Sequence, residues 1–568
     1  MEKKNKNVVH LIEKMTLEQK IGALFTLGFS GTVVTPRIYE FIEKFHCGGL
    51  RLTPHGRSMG NYVDPKTGKT VVNIKNNTGF KKGIPSPQCT ASEYKEVLDS
   101  LQEAARKRPL GIPLHFSFDQ EGGENANCYF PGVHLFPRPM GIRAAGDSGY
   151  AYEVAKAVGT QCRSIGFNWI HSPNLDVNTE ARNPEIGVRS YSNEPEVVAE
   201  YAEMACRGFK DANMIATAKH FPGRGDSSVD AHFELPVIQA DWETLWNREL
   251  LPYRRLIEKD LIPAIMIAHS LYPALDTDYV ATVSKKILTG LLRDKMGYQG
   301  VITTDSMTMG AIASKYGVAN SCAMALEAGA DLVLMKAGGS LVEETFEMVG
   351  KFVEEGRISK SELDDKVYRV LSLKYEYGLF YSSREPEQLP ESVLKDKRIL
   401  ELSKEVALKS VIIERDKQQS IPLGREEAIL LIEQADMSKF LNLSNYPGIL
   451  YHNCLKYNRN ITYLETDYTY DEDDLRRIKE RVQEFDTIIV TNYFSRGRLP
   501  NTEMMEELGN LEGKKVILVT NTPYETAIPK NAQTVILTFA PTVRNIEVVA
   551  GTIFGKIHPQ GEMPVSNA

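Results

Sequence analysis

The chain has 568 residues, 42% hydrophobic and 25% charged, with a formal net charge of −7 and a pI near 6.0. That length suggests roughly two to four units of ordinary globular composition, and the acidic balance argues against a nucleic-acid surface, which needs a basic patch. The seven cysteines form no C-x-x-C pair, the N-terminal run has no apolar h-region and no long apolar span occurs, so the expectation is a cytoplasmic protein without zinc, disulfides or a membrane partner.

Short apolar runs at 23–27, 49–52, 114–118, 169–171, 214–217, 264–268, 300–304 and 331–335 read as eight strands. Helical patterns lie between them, for example at 92–106, 195–210, 242–259 and 284–295. Strands separated by helices imply parallel β–α units, and eight such units close naturally into a (β/α)8 barrel. An open doubly wound sheet is the structural alternative. Residues 53–88, rich in Gly, Asn, Lys and Pro, break the pattern and read as a lid or a tolerated insertion on the barrel's C-terminal rim.

A long helical stretch at 340–377 is expected to end the barrel, and a polar stretch with two prolines at 382–390 follows it. Further strand-like runs at 428–432, 487–490, 515–519 and 534–537, with a helix at 474–483, predict a smaller α/β unit. No G-x-G-x-x-G or G-x-x-x-x-G-K-S/T phosphate loop follows its strands. The expected division is a barrel at 1–381, a linker at 382–400 and a second domain at 401–568.

In such a barrel the chemistry belongs just after the strands, and that is where the polar residues fall. The third strand leads to Asp119-Gln120-Glu121-Gly122-Gly123, and the fourth through Asn174 and Asp176 to Arg189. Behind the fifth comes Lys219-His220-Phe221-Pro222-Gly223-Arg224-Gly225-Asp226-Ser227-Ser228-Val229-Asp230-Ala231-His232; the sixth precedes His269-Ser270 and the seventh Asp305-Ser306. Asp230 and His232 are two apart, so in an extended loop they share a face. A carboxylate beside an imidazole fixes its tautomer and tunes it for proton transfer. Taken singly, an acidic residue after a strand is most often a helix cap or turn former; five strand ends carrying such groups together are not explained by capping.

Neither G-x-S-x-G nor H-E-x-x-H is present, which disfavours serine hydrolases and zincins. The His and Asp residues include metal-ligand types, but the His-x-His pattern of metal-dependent amidohydrolase barrels is missing. Charged donors suit hydroxyl-rich ligands. Sugar cleavage with retention requires a nucleophilic carboxylate and a proton donor on opposite faces of the linkage.

At these residues the chain resembles glycoside hydrolase family 3, in its β-N-acetylglucosaminidase branch. The likeness rests on Asp119 to Gly123, Ile186-Gly187-Val188-Arg189-Ser190, the Lys219-to-His232 motif and Ile302-Thr303-Thr304-Asp305-Ser306-Met307. It implies a barrel followed by an α/β sandwich, with no metal and no organic cofactor. It implies that Asp305 is the nucleophile, forming a glycosyl-enzyme intermediate, and that His232, oriented by Asp230, is the acid/base. Asp119, Arg189, Lys219 and His220 are the implied sugar-hydroxyl partners; Arg224 and His269 complete the expected substrate-binding set.

Three departures stand out. The branch usually has His where this chain has Arg224, Ser where it has Ala231, and Arg where Glu124 follows Gly122-Gly123. Arg favours planar anionic partners. An imidazole acid/base also lacks the charge that would repel an anion, so phosphate is a candidate acceptor in place of water. The expected activity is a retaining, exo-acting β-N-acetylhexosaminidase acting on chitin- or peptidoglycan-derived fragments. The alternatives are a β-glycosidase of changed specificity, a phosphorylase of the same fold, and a sugar-binding protein without turnover.

Overall fold

Eight apolar runs become the eight strands of one parallel sheet: β1 Phe25–Ser30, β2 Gly49–Thr53, β3 His115–Phe118, β4 Trp169–Ile170, β5 Ile215–Phe221, β6 Ala264–Ile267, β7 Val301–Thr304 and β8 Val333–Met335. From β1 to β7 each strand pairs with the next in sequence, and β8 pairs with β1. A Thr303–Leu332 bridge joins β7 to the residues leading into β8, so the sheet closes on itself. Nearly every strand residue is buried, including all seven of β5. Strands covered on both faces read as unbroken apolar runs, which is why the sequence pattern locates them.

The computed structural model describes residues 4–54, 89–123, 125–231, 235–381, 389–435, 448–494 and 501–566, with two short paired strands at Tyr62–Val63 and Thr70–Val71. Apart from that pair, residues 55–88 of the predicted insertion lie outside the described residues, as do 382–388 of the predicted linker. Among the described residues no helix is long and apolar enough to cross a membrane.

Helices cover the outside of the barrel. Ala91–Lys107 shows why one forms: Thr90 and Glu93 make a reciprocal capping box, and Tyr94, Leu98, Leu101 and Ala105 recur at three- and four-residue spacing on the buried face. The stretch expected as one helix at 340–377 is two, Ser340–Glu354 and Lys360–Glu376. Gly356, at φ +76°, turns the chain between them. Ser359 and Glu362 then cap the second helix.

Six strands build the second sheet: β9 Ile412–Asp416, β10 Ile429–Gln434, β11 Ile461–Thr466, β12 Thr487–Asn492, β13 Lys515–Thr520 and β14 Thr534–Leu537. Their order is β9-β14-β13-β12-β10-β11, parallel except for β9 against β14. Leu430 and Ile432 enter one apolar core, Ile429 and Leu431 another, so the sheet is buried on both faces. The helices Pro390–Val393 and Lys397–Ser410 lead into it.

This second unit packs against the barrel mouth. Met140, Ala144 and Val188 join its core beside Leu537 and Phe539. Asn178 donates to the Tyr524 hydroxyl (2.8 Å), and the Glu562 N–H donates to the Ala144 carbonyl (2.8 Å). Asn178 and Val188 thereby tie the loop after β4 to the second unit.

Candidate active site

The loop after β3 is folded by its own side chains. Gln120 brackets the backbone of Cys128 with two hydrogen bonds of 2.9 Å, and the Asp119 N–H donates to Asn127 Oδ1 (2.9 Å). Gly122 is required here: its φ is +89° and a Cβ would lie 2.4 Å from the Pro137 carbonyl oxygen.

Lys219 and His220 end β5. In a regular strand consecutive side chains take opposite faces, but the pairing of β5 with β6 shifts register between Lys219 and Phe221. Such an irregularity re-aims side chains; Lys219 reaches Asp119 and Glu121 while His220 reaches Asp176 and Asp305. The motif loop that follows is clasped by the loop after β4. Asp176 Oδ1 accepts from the Arg224 N–H (2.9 Å), and Asn183 Nδ2 donates to the Arg224 and Gly225 carbonyls (3.0 and 3.1 Å). Farther on, the Ala231 N–H donates to Glu185 (3.3 Å), and the Ala231 carbonyl accepts from Ala311 (3.3 Å), just beyond Asp305.

A continuous chain of charges lines this region. Arg51, from β2, and Lys219 (3.1 Å) hold Asp119, with His171 Nδ1 3.5 Å away. Lys219 also bonds Glu121, which takes Arg189 bidentately at 2.6 and 3.1 Å. Arg189 Nη1 lies 3.9 Å from Glu185, Arg224 Nη2 is 2.9 Å from Glu185 and 3.5 Å from Asp305 Oδ2, and His220 Nε2 is 4.0 Å from the same oxygen. Asp305 Oδ1 accepts from the Ser306 N–H (2.7 Å). Along this chain Asp119 and Asp305 keep the most exposed side chains, at 24% and 15%. Among the described residues of this chain of contacts, four permanent cations (Arg51, Lys219, Arg189, Arg224) meet five carboxylates (Asp119, Glu121, Asp176, Glu185 and Asp305), one in excess. A cation developing on a ligand at this spot is electrostatically favoured.

For Asp119 and Glu121 burial works against the charge, and the neighbouring cations outweigh it. Arg51 and Lys219 hold Asp119 well below the usual carboxylate range, and Arg189 and Lys219 do the same for Glu121. Asp176 is also lowered despite its burial, chiefly by His220. His220 itself is pushed down to about 4 by burial and by Arg224, so its ring is neutral near neutral pH. Its Nδ1, 2.7 Å from the ionised Asp176, must carry the hydrogen, leaving a lone pair on Nε2 toward Asp305. His220 is thus equipped to accept a hydrogen bond from a ligand hydroxyl, and Lys219 to donate one.

The structure brings Asp119, Arg189, Lys219, His220, Arg224 and Asp305 into one connected set. Asp230 is buried in the motif loop, 6% exposed; His232 lies outside the described residues. His269 corrects its expected role as a sugar contact. It is fully buried, with Nδ1 2.7 Å from Thr282 Oγ1 and Nε2 3.0 Å from the Ser306 carbonyl; it supports the turn that carries Asp305. Arg189 is likewise enclosed and acts on the mouth through Glu121. Arg51, His171 and Glu185 were not among the expected site residues. A charge inside the apolar run of β2 was the available signal for Arg51; nothing local distinguishes Glu185.

The model of the glycosyl hydrolase family 3 N-terminal domain matches residues 16–373. Beta-hexosaminidase A of Pseudoalteromonas piscicida is 33% identical over 299 residues, 49% of this chain and 50% of that one. The beta-N-acetylglucosaminidase/beta-glucosidase of Cellulomonas fimi is 27% identical over 354 residues, 61% of each chain. The chain therefore spans about half of the first of these relatives and under two thirds of the second. A solved family 3 beta-N-acetylglucosaminidase from Paenibacillus sp. str. FPU-7 superposes with a TM-score of 0.83 at 28% identity, covering 97% of this chain and 99% of that one. With the match spanning more than half of the sequence and all eight barrel strands, the chain belongs to glycosyl hydrolase family 3.

Proposed function

We propose that the protein is a retaining, exo-acting β-N-acetylhexosaminidase that removes terminal β-linked GlcNAc from chitin- or peptidoglycan-derived fragments. Asp305 attacks the anomeric carbon as the glycosidic C–O bond breaks, and the leaving oxygen takes a proton from His232, oriented by Asp230. Water, giving its proton to the same imidazole, then cleaves the glycosyl-aspartate ester with retention. Asp119, Lys219 and His220 hold the sugar hydroxyls, with Arg189 fixed behind them.

The observation that carries this reading is Asp305 itself. It is a part-exposed carboxylate beyond β7, steadied by the Ser306 N–H and facing nitrogens of His220 at the end of β5 and Arg224 in the loop behind it. Family membership and the names of the relatives support the sugar class. Phosphate is the alternative acceptor, because an imidazole does not repel an anion as a second carboxylate would.

A panel of aryl β-glycosides, with and without phosphate, tests the assignment, followed by mass detection of a trapped sugar on the Asp305 peptide. The N-acetylglucosaminide is expected to be cleaved fastest. Asp305→Ala is expected to abolish turnover while ligand binding persists; equal rates in variant and parent refute the reading. A sugar 1-phosphate formed only with phosphate assigns phosphorolysis, and its absence leaves hydrolysis.

A further inference from the structure

Among the described residues, two side-chain nitrogens lie within 4.0 Å of the Asp305 carboxylate: Arg224 Nη2 at 3.5 Å and His220 Nε2 at 4.0 Å. The His220 ring is neutral and turns a lone pair that way. The fixed positive charge at this range is therefore that of Arg224. Its side chain is 2% exposed, and among the described residues its Nε and Nη1 make no hydrogen bond. A buried polar group without partners ordinarily destabilises a fold, so folding stability does not explain why an arginine sits here. Its third nitrogen, Nη2, forms ion pairs with both Glu185 Oε1 (2.9 Å) and Asp305 Oδ2 (3.5 Å).

We infer that Arg224 is a positioning residue for the nucleophile: its guanidinium holds Asp305 as a correctly placed carboxylate, and Glu185 sets how much of that charge Asp305 receives. This rests on the reading of Asp305 as the nucleophile. When Asp305 oxygen bonds the anomeric carbon and the aglycone leaves with its proton, the carboxylate charge is consumed and Glu185 remains as the partner of Arg224. When water cleaves the ester, the electron pair returns to Asp305 beside a waiting cation, which makes the carboxylate a better leaving group. Arg224 thus favours release of the sugar.

The groups facing this pair come from several elements. His220 and Asp176 stand on one side, Glu185 and Arg189 on another, and Tyr253 and Tyr272 behind Arg224 are raised far above neutrality by burial. Glu249, pushed up to about 7 by burial and bonded to Arg248 (2.7 Å), lies under Gly223. A Glu249→Gln arm therefore separates its titration from that of Asp305.

The test is the pH profile of kcat/KM for an aryl β-N-acetylglucosaminide, whose acidic limb reports loss of the ionised nucleophile. Arg224→Met is expected to move that limb up by about one pH unit or more, the lower end of what an adjacent guanidinium imposes. Arg224→Lys, which keeps the charge, is expected to restore most of the shift. Glu185→Gln, which frees Arg224 for Asp305, is expected to move the limb down, and Glu249→Gln to leave it in place. Opposite shifts from Arg224→Met and Glu185→Gln are not produced by a structural defect. An unmoved limb in both, shifts of the same sign, or loss of the limb in Glu249→Gln overturns the inference. If Arg224→Met does not fold, Arg224→Lys and Glu185→Gln decide it by the same signs. A parent that cleaves no aryl β-glycoside, or traps sugar away from Asp305, instead overturns the nucleophile reading beneath it.

Discussion

Glu121 is the hub of the charge chain, and replacing it with Gln tests how the site is held. Its side chain is 2% exposed and bonds Arg189 through two contacts and Lys219 through a third. In Glu121→Gln the amide NH2 must face a guanidinium or an ammonium, donor against donor. Lys219 keeps Asp119 at 3.1 Å, but Arg189 keeps only the Glu185 carbonyl at 2.9 Å and a carboxylate at 3.9 Å. Breaking a buried pair from one side costs about 3–5 kcal/mol. Arg189→Met is expected to fall at the low end of that range, because Glu121 then retains Lys219. The two losses overlap, so the double variant is expected to cost less than their sum.

Urea unfolding followed by tryptophan fluorescence reads this out. Trp169, Trp242 and Trp246 are the chain's three tryptophans and all lie in the barrel, so the signal reports that unit. The sign of the pH dependence follows from Glu121 being held below the usual carboxylate range in the fold. Its contribution is present above the unfolded value, about 4.3, and is lost as pH falls through the folded one, so the gap between parent and Glu121→Gln narrows on acidification. A Glu121→Gln protein within about 1 kcal/mol of the parent, or one less damaged than Arg189→Met, refutes the hub reasoning.

Two further outcomes follow from single contacts. Burial lowers His171 to about 4, against an unfolded value of about 6.5, so the unfolded chain binds its proton first on acidification. The stability of His171→Gln relative to the parent is therefore expected to improve by up to about 3 kcal/mol as pH falls from 6.5 to 4; a gap independent of pH contradicts this. A Cβ on Gly225 would lie 1.8 Å from the Val177 carbonyl oxygen, so Gly225→Ala must push the motif loop off the loop after β4. Roughly a hundredfold loss in kcat/KM is expected from a displacement of that kind, measured on the same aryl glycoside, and an unchanged value excludes the clasp as a constraint.

The barrel was legible because its strands are short, largely apolar and separated by amphipathic helices. The position of Asp119, Lys219, His220 and Asp305 after those strands was legible for the same reason. Elements with mixed environments were harder to read. β9 exposes Ile413 and leaves Glu414 and Arg415 half-buried, and β11 is half-buried for most of its length, so neither edge strand shows a clean apolar run. The break between Ser340–Glu354 and Lys360–Glu376 was written in Gly356 and in the Ser359/Glu362 box, but apolar periodicity continues across it.

By itself the sequence determined which segments become strands and which strand ends bear charge, since burial on both faces demands continuous apolar side chains and leaves the loops to carry polar ones. Only the tertiary structure decided which charges meet. Arg51 and Asp119 are 68 residues apart, as are Glu121 and Arg189, and no local pattern encodes a pairing made when the barrel closes. The same closure turned His269 inward as a prop for Ser306 and set Arg224 between Glu185 and Asp305. A side chain's role here depends on the distances to its partners, and those are fixed by packing.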